Sequence, residues 1–252
     1  MTHLQNNYDP ILVLFSFLVA IVASSAALTC LNRMRSDPAY RLQWQIGGAV
    51  SFGFGVWTMH FVGMAALRLP ILVAYNLPIT AASVVFIFIA AFLAFGIVGV
   101  RQPSLPRILL GGILLGVGVG AMHYAGMFSL RSSAQIEFSL PYVGLSALVA
   151  VVLSSIGLWL LNNDLWQNLP FRNVLVTIVV GLAVPLMHYT GMLAAHFNVP
   201  EQANNSISAV TDGVLSLDFF LLVALITVVS PLLLNAMIPP RQAEEWQTQL
   251  EA

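Results

Sequence analysis

The chain has no lysine, a single cysteine and very few charges of either sign. Its 252 residues include nine arginines and ten acidic residues, so charged side chains make up 8% and hydrophobic ones 59%. A soluble domain carries roughly a quarter charged residues, and this composition therefore predicts an integral membrane protein. The net charge of −1 argues against nucleic acid as a partner and against a polybasic lipid-binding patch. One cysteine, Cys30, forms no intrachain disulfide.

Seven apolar stretches are long enough to cross a bilayer core, which takes about 20 residues as a helix. No basic segment precedes the first stretch, so we interpret it as a retained span rather than a cleaved signal peptide. The expected fold is an all-α integral membrane domain over residues 1–240, followed by the start of a cytoplasmic linker or tail at 241–252. The predicted spans are 10–31, 43–67, 77–100, 107–130, 141–161, 171–197 and 214–238.

The arginines predict the orientation of the chain. Seven of them fall on one side of the predicted spans and two on the other. Under the positive-inside rule, this asymmetry places the N-terminus outside and the C-terminus in the cytoplasm. The larger group is Arg33, Arg35, Arg41, Arg101, Arg107, Arg172 and Arg241, and the smaller is Arg68 and Arg131.

A motif of Met, His, an aromatic residue, any residue, Gly and Met occurs three times. The copies are 59–64, 122–127 and 187–192. Each lies near the same end of an even-numbered span, so the three histidines are expected at one depth. Each His is about 16–17 residues into its helix, or roughly 25 Å along it, which corresponds to the outer leaflet.

The spacing of these copies predicts an internal repeat. The motif histidines are 63 and 65 residues apart, the length of two spans with their loops. A glycine stands seven residues before each histidine, at Gly53, Gly116 and Gly181, where it allows helices to approach closely. The unit is then a helical hairpin used three times in the same orientation, with a seventh helix added.

Histidine and methionine at these positions favour a metal site. A helix turns about 100° per residue, so the Met four residues after each His shares its face, whereas the Met before it is about 100° away and ranks second. Thioether and imidazole ligands suit copper best, particularly Cu(I), and zinc is the alternative because it accepts three histidines. The candidate metal ligands are His60, His123, His188, Met64, Met127, Met192, Met59, Met122 and Met187.

Three further residues near the predicted outer face are candidates for supporting roles. Asp9 and Asp218 can accept the second N–H of a motif histidine and fix its tautomer. His196, two helical turns beyond His188, is either an outer ligand or an interfacial residue.

Other interpretations remain open for the motif. Haem ligation by His and Met is possible in principle, but the i, i+4 spacing on one helix disfavours placing both on opposite faces of one iron. Buried histidines and methionines also serve as packing residues, so a metal-free structural module is an alternative. A copper transport or delivery protein is another. No catalytic triad, carboxylate pair or phosphate-binding loop points to an enzyme.

The repeated motif in a chain with seven predicted spans resembles the bacterial MHYT sensor domain, whose name stands literally at residues 187–190. The resemblance covers essentially the whole chain. It implies copper bound near the outer face by the motif histidines and methionines, and sensing of oxygen, carbon monoxide or nitric oxide. It also implies control of cytoplasmic domains that make or degrade cyclic di-GMP. Phe61 and Val62 depart from the motif's Tyr and Thr, and Ala125 departs in the second copy, but no ligand atom is lost.

The sequence therefore predicts a multi-pass sensor of the bacterial inner membrane, without catalytic activity of its own. The signal would be a diatomic gas or the redox or copper state, and the output a cyclic di-GMP domain beyond this chain. The bilayer is one partner, and a homodimer is a further possibility.

Overall fold

The fold is a bundle of long apolar helices. The computed structural model describes residues 2–3, 7–69, 71, 73–163, 171–199, 219–220, 222–227 and 229. Six helices in this part of the chain are long and apolar enough to cross a membrane. They are α1 Pro10–Ser36, α2 Arg41–Ala66, α3 Leu77–Val98, α4 Leu105–Ser129, α5 Leu140–Asn162 and α6 Arg172–Met192.

These helices confirm the first six predicted spans, with two clear differences in their bounds. Helix α1 continues to Ser36, five residues beyond the predicted end at 31. Helix α6 ends at Met192 rather than near 197, because the chain there turns into a strand. The seventh predicted span, 214–238, falls mainly outside the described residues and stays a prediction, although the described residues between 219 and 229 are helical. The tail 241–252 and the orientation in the membrane also stay predictions.

The three odd helices begin alike. Each follows a polar residue at the N-cap position, namely Asp9, Asn76 and Ser139, and each carries a proline in its first turn; the side chains of Asp9 and Asn76 accept capping hydrogen bonds, and that of Ser139 does not. The side chain of Asp9 accepts hydrogen bonds from the amides of Ile11 and Leu12, which have no partner within the helix. Because the same start recurs in each hairpin, the predicted repeat is visible in the local structure.

The six helices form a closed ring. Each helix packs against the next along the chain, and α6 packs against α1. Helices α2, α4 and α6 also contact one another, so the even helices line the axis of the ring and the odd helices lie outside them. We call the end at which the even helices finish the motif end, and the opposite end the arginine end.

Glycines on the even helices bring two neighbours close at once. A Cβ added to Gly118 of α4 would lie 2.2 Å from Cβ of Ala90 on α3, the partner in its own hairpin. A Cβ added to Gly116 would lie 2.5 Å from Cα of Val151 on α5, the next helix along. Gly181 approaches the backbone of Ile21 on α1 in the same way. The glycines seven residues before each histidine therefore contact the following odd helix.

Short strands close the motif end, a feature that the sequence analysis did not predict. They are β1 Thr2–His3, β2 Asn7–Tyr8, β3 Leu67–Arg68, β4 Val73–Tyr75, β5 Leu130–Ser132, β6 Gln135–Phe138 and β7 Ala195–Val199. Within each hairpin the strand before the odd helix pairs antiparallel with the strand after the even helix, giving β2–β3, β4–β5 and β6–β7. Strand β1 adds to β7. These ladders tie both ends of every hairpin together.

We expect Gly116→Ala to destabilise the protein, because the new methyl group would overlap the backbone of α5. A helix backbone shifts less readily than a side chain to relieve such an overlap. Overpacking of this kind costs about 1–3 kcal/mol. The matched control is Gly144→Ala on α5, where an added Cβ meets no described residue within 4 Å. Thermal unfolding in detergent should show a lower midpoint for Gly116→Ala and an unchanged or slightly higher one for Gly144→Ala. Equal midpoints would contradict the close packing of α4 on α5.

Candidate metal centre

The three motif histidines meet on the axis of the ring. Their Nδ1 atoms form a nearly equilateral triangle, with His60 3.1 Å from His188, His123 3.2 Å from His60 and His188 3.2 Å from His123. All three side chains are fully buried. The structure thus confirms that the repeat brings the three imidazoles to one depth and one point.

The chemistry of three converging Nδ1 atoms favours a cation between them. A ring nitrogen of neutral histidine carries either one proton or one lone pair, so a triangle of them has no closed ring of hydrogen bonds. The centre of this triangle lies about 1.8 Å from each Nδ1, close to the ~2.0–2.1 Å of a zinc–imidazole bond. The donor set therefore fits one metal ion, held by His60, His123 and His188.

The other ring nitrogens point away from the centre, each into the space left by a motif glycine. A Cβ added to Gly126 would lie 2.3 Å from Nε2 of His60, and one added to Gly191 would lie 2.6 Å from Nε2 of His123. A Cβ on Gly63 would lie 2.6 Å from Nε2 of His188. Each repeat thus houses the imidazole of another, in a cycle that runs once around the axis.

These Nε2 atoms are buried and have no hydrogen-bond partner among the described residues. A buried N–H without an acceptor costs about 1–3 kcal/mol. When Nδ1 supplies a lone pair to a metal, Nε2 carries the proton, and the bonds at the centre compensate for its isolation. A metal-bound imidazole usually donates its other N–H to an acceptor, so the orphaned Nε2 atoms do not by themselves indicate a metal, and the Nδ1 triangle carries that inference alone.

The six motif methionines all belong to the buried hydrophobic core. Met59 and Met122 are fully buried, and the other four are at most 4% exposed. Burial is compatible with either a ligand or a packing role. Ligation by Met59, Met64, Met122, Met127, Met187 and Met192 therefore stays a prediction.

The proposed supporting carboxylate, Asp9, does not contact a motif histidine. It caps α1 and pairs with Arg68 across the β2–β3 strands, and the hydrogen bond from Arg68 and those from the helix amides hold the pKa of its carboxyl below the usual range. Asp218 lies outside the described residues. His196 is exposed on β7 opposite Glu137, so the structure does not bring it to the centre.

The motif tyrosines bind the next odd helix. The hydroxyl of Tyr189 lies 3.0 Å from Oγ of Ser16 on α1, and that of Tyr124 lies 2.7 Å from Oγ of Ser146 on α5. These serines stand seven residues after the caps Asp9 and Ser139. The sequence analysis missed them, although their shared offset is a usable signal.

The first repeat differs at this contact because Phe61 has no hydroxyl. The equivalent serine, Ser83, instead accepts a hydrogen bond from Nε1 of Trp57, at 3.1 Å. The Phe61 ring stacks on Phe220, with centroids 4.7 Å apart and planes 7° from parallel. Thr58 and Thr227 lie within hydroxyl contact at 3.4 Å. The described residues after 218 thus pack on the first repeat.

Comparison with known proteins identifies the repeat. The family model for MHYT, the bacterial signalling protein N-terminal repeat, matches residues 53–111, 116–170 and 181–238. The chain belongs to the MHYT family. Each match begins at one of the glycines seven residues before a motif histidine. The MHYT model leaves α1 out, yet in the fold α1 closes the ring beside α6, where Tyr189 and Gly181 contact it.

The similar proteins are signalling proteins of bacteria. The chain is 41% identical over 77% of its length to the bifunctional diguanylate cyclase/cyclic di-GMP phosphodiesterase MucR of Pseudomonas aeruginosa. It is 32% identical over 83% to the cyclic di-GMP phosphodiesterase NbdA of the same organism, and 30% identical over 76% to the signalling protein YkoW of Bacillus subtilis. It covers only 29%, 27% and 24% of these relatives. No solved structure matches it.

The MHYT repeats and the six apolar helices together identify a multi-pass protein of the bacterial inner membrane. The chain corresponds to the membrane signalling domain of proteins in cyclic di-GMP signalling.

We expect Gly126→Ala to prevent metal retention, because its methyl group would overlap the His60 imidazole and push it out of the triangle. The control is Gly120→Ala on the same helix, where an added Cβ has no neighbour within 4 Å in the part of the chain that the structure describes. Elemental mass spectrometry after loading purified protein with Cu(I) or Zn²⁺ should show loss of bound metal only in Gly126→Ala. Full retention in a monodisperse Gly126→Ala protein would contradict the role of this glycine.

Proposed function

We propose that this domain binds copper through His60, His123 and His188, with the motif methionines, and uses it to sense a signal near the outer face of the membrane. The signal is a diatomic gas (oxygen, nitric oxide or carbon monoxide) or the redox or copper state. The output is a cyclic di-GMP domain in the full-length protein. The Nδ1 triangle is the observation that supports this proposal most.

The ligand set favours copper over zinc. Three neutral imidazoles accept either metal, but the surrounding thioethers are soft donors that suit Cu(I). Neutral ligands are also appropriate inside a membrane, since no buried carboxylate has to stay ionised. Zinc remains the alternative cofactor and would remove the redox interpretation.

The packing below the triangle favours a sensor over a conduit. Four residues before each histidine stands a valine, and Val56, Val119 and Val184 are each only 2% exposed. One further turn down are Phe52, Leu115 and Val180, which are also buried. A copper pathway needs ligands at successive depths, whereas these layers offer only apolar side chains toward the arginine end.

Signal transfer follows from which helices carry the ligands. Copper supplies a redox couple whose two states prefer different coordination geometries. Because α2, α4 and α6 each contribute one imidazole, a change in preferred geometry alters how these helices pack. A signal that acts at the copper shifts the equilibrium between two helix arrangements only by the difference in its affinity for them. The contact of Phe61 with Phe220 provides a route from His60 toward the C-terminal segment.

The output activity belongs to other parts of the longer proteins. MucR and NbdA are named for cyclic di-GMP synthesis or degradation, and this chain covers less than a third of either. We infer that the domain itself is not an enzyme and that residues 241–252 begin the connection to an effector. Signalling through such a linker commonly uses a homodimer.

We expect purified wild-type protein to contain copper, and His60→Ala, His123→Ala and His188→Ala each to lose it, because two imidazoles leave the centre open. The matched control is His196→Ala, which removes an exposed histidine outside the triangle. Elemental mass spectrometry of detergent-purified protein measures the metal per chain. Copper retained in all three triangle variants would overturn the proposed site, and zinc in the wild type would remove the redox mechanism.

We also expect no copper flux through the protein. Sealed proteoliposomes with a Cu(I)-sensitive dye inside should respond to external Cu(I) no faster than protein-free vesicles, because the valine layer blocks the axis. The triple variant Val56→Ser, Val119→Ser and Val184→Ser tests whether an opened axis would conduct. Rapid flux through the wild type would favour the transport alternative.

A further inference from the structure

A groove runs along the outside of the ring between α1 and α6, toward the arginine end. Its volume is about 540 Å³, within the range of small-molecule sites. It is lined by apolar residues together with five uncharged polar side chains: Ser25, Thr29 and Asn32 of α1 and Asn173 and Thr177 of α6.

The polar residues form two facing stripes. On α1 they are spaced i, i+4 and i+7, and on α6 they are spaced i and i+4, so each set shares one helix face. Thr29 bonds the carbonyl of Ser25 within its own helix. Polar groups that face hydrocarbon are costly unless something polar lies against them. The groove therefore combines an apolar channel with polar edges at a depth where lipid is the solvent.

The equivalent spaces at the other two junctions of the ring are filled. Between α2 and α3, Nε2 of Gln45 donates to the carbonyl of Phe92 at 2.8 Å, and Arg41 donates to the carbonyl of Gly96. Between α4 and α5, a Cβ on Gly112 would lie 2.1 Å from Oγ of Ser155. Phe92 and Ser155 occupy the repeat position of Ser25. At the third junction the groove leaves room for another molecule.

Two arginines that do not line the groove themselves stand next to its lining residues at the arginine end. Arg35 follows Asn32 by less than a turn, and Arg172 directly precedes Asn173. Arg35 donates to the carbonyl of Val98 and to Oδ1 of Asn162, and Arg172 donates to the carbonyl of Leu161, which lines the groove.

Because Asn162 and Leu161 are neighbours on α5, the two guanidinium groups that bind them lie near each other and repel. Within the described part of the chain, the Nε atom of each is buried without a hydrogen-bond partner, and neither group forms a salt bridge with a carboxylate. An anion with several oxygen acceptors would relieve both the repulsion and the missing bonds.

We propose that the groove binds an anionic phospholipid. Its phosphate lies beside Arg35 and Arg172, its ester region meets the polar stripes, and one acyl chain lies along the apolar floor between α1 and α6. Basic pockets between transmembrane helices commonly bind such headgroups on the cytoplasmic side, which is where the positive-inside rule places these arginines. The lipid would brace the junction that closes the ring.

The test uses the full chain, purified in detergent and stripped of lipid. Thermal unfolding is measured with added phosphatidylglycerol, with phosphatidylcholine and with inorganic phosphate, and native mass spectrometry counts retained lipid. We expect phosphatidylglycerol to raise the midpoint by several degrees and one lipid per chain to be retained. Arg172→Gln should weaken binding roughly fivefold or more, since an arginine near a membrane surface contributes about 1 kcal/mol.

Two further variants keep the test independent of folding. Arg107→Gln removes an exposed arginine on α4, at the same end but away from the groove, and should bind phosphatidylglycerol like the wild type. Ser25→Leu with Thr177→Leu fills the groove and should abolish lipid retention without removing a charge or changing the metal content.

Several outcomes would overturn the proposal. These are equal stabilisation by phosphatidylcholine, the same stabilisation by inorganic phosphate alone, lipid retention in the filled variant, or an equal loss of binding in Arg107→Gln. Dissociation of a dimer in the filled variant would instead identify a second copy of the chain as the occupant.

Discussion

The convergence of three imidazole Nδ1 atoms on one point is the constraint on which the rest of this domain depends. Three Nδ1 atoms within 3.2 Å of each other form a group that can hold a metal ion, and their placement needs three helices of equal direction and equal depth. The hairpin repeat supplies the direction, the glycines of α2, α4 and α6 supply the close approach, and the strand pairs at the motif end hold the depth. Each motif glycine then leaves space for the imidazole of another repeat. The packing that forms the ring of helices therefore also fixes the positions of the three histidines.

Most of the structure follows the threefold repeat. The few departures from it make the three repeats unequal, which distinguishes one side of the bundle from the others. Phe61 replaces a tyrosine, Trp57 takes over the bond to Ser83, and Phe220 stacks on the exchanged ring. In a fully symmetric bundle the C-terminal segment would have three equivalent repeats to pack against. Here only the first repeat carries Phe61, the ring on which Phe220 stacks. The α1–α6 junction also differs, because it contains the groove lined by Ser25, Asn173 and Thr177.

The sequence was sufficient for the six described spans, the hairpin repeat and the meeting of His60, His123 and His188, because hydropathy and motif spacing act over whole helices. It did not predict the strands, which are two to five residues long and carry no distinct periodicity. The role of Gly63, Gly126 and Gly191 was also missed, although all three stand inside the motif, because their contacts lie on other helices. Asp9 was wrongly considered as a histidine partner, because its sequence position did not reveal that its carboxyl caps α1 and pairs with Arg68.

Closure of the ring by α1 also bears on the order in which the protein is made. Helix α1 leaves the ribosome first, yet its neighbour α6 is the last of the six to enter the bilayer. Until then α1 has only α2 beside it, and the triangle lacks His188. Neither the sealed bundle nor a complete three-imidazole centre exists during insertion. The three imidazoles therefore come together only after α6 has entered the bilayer.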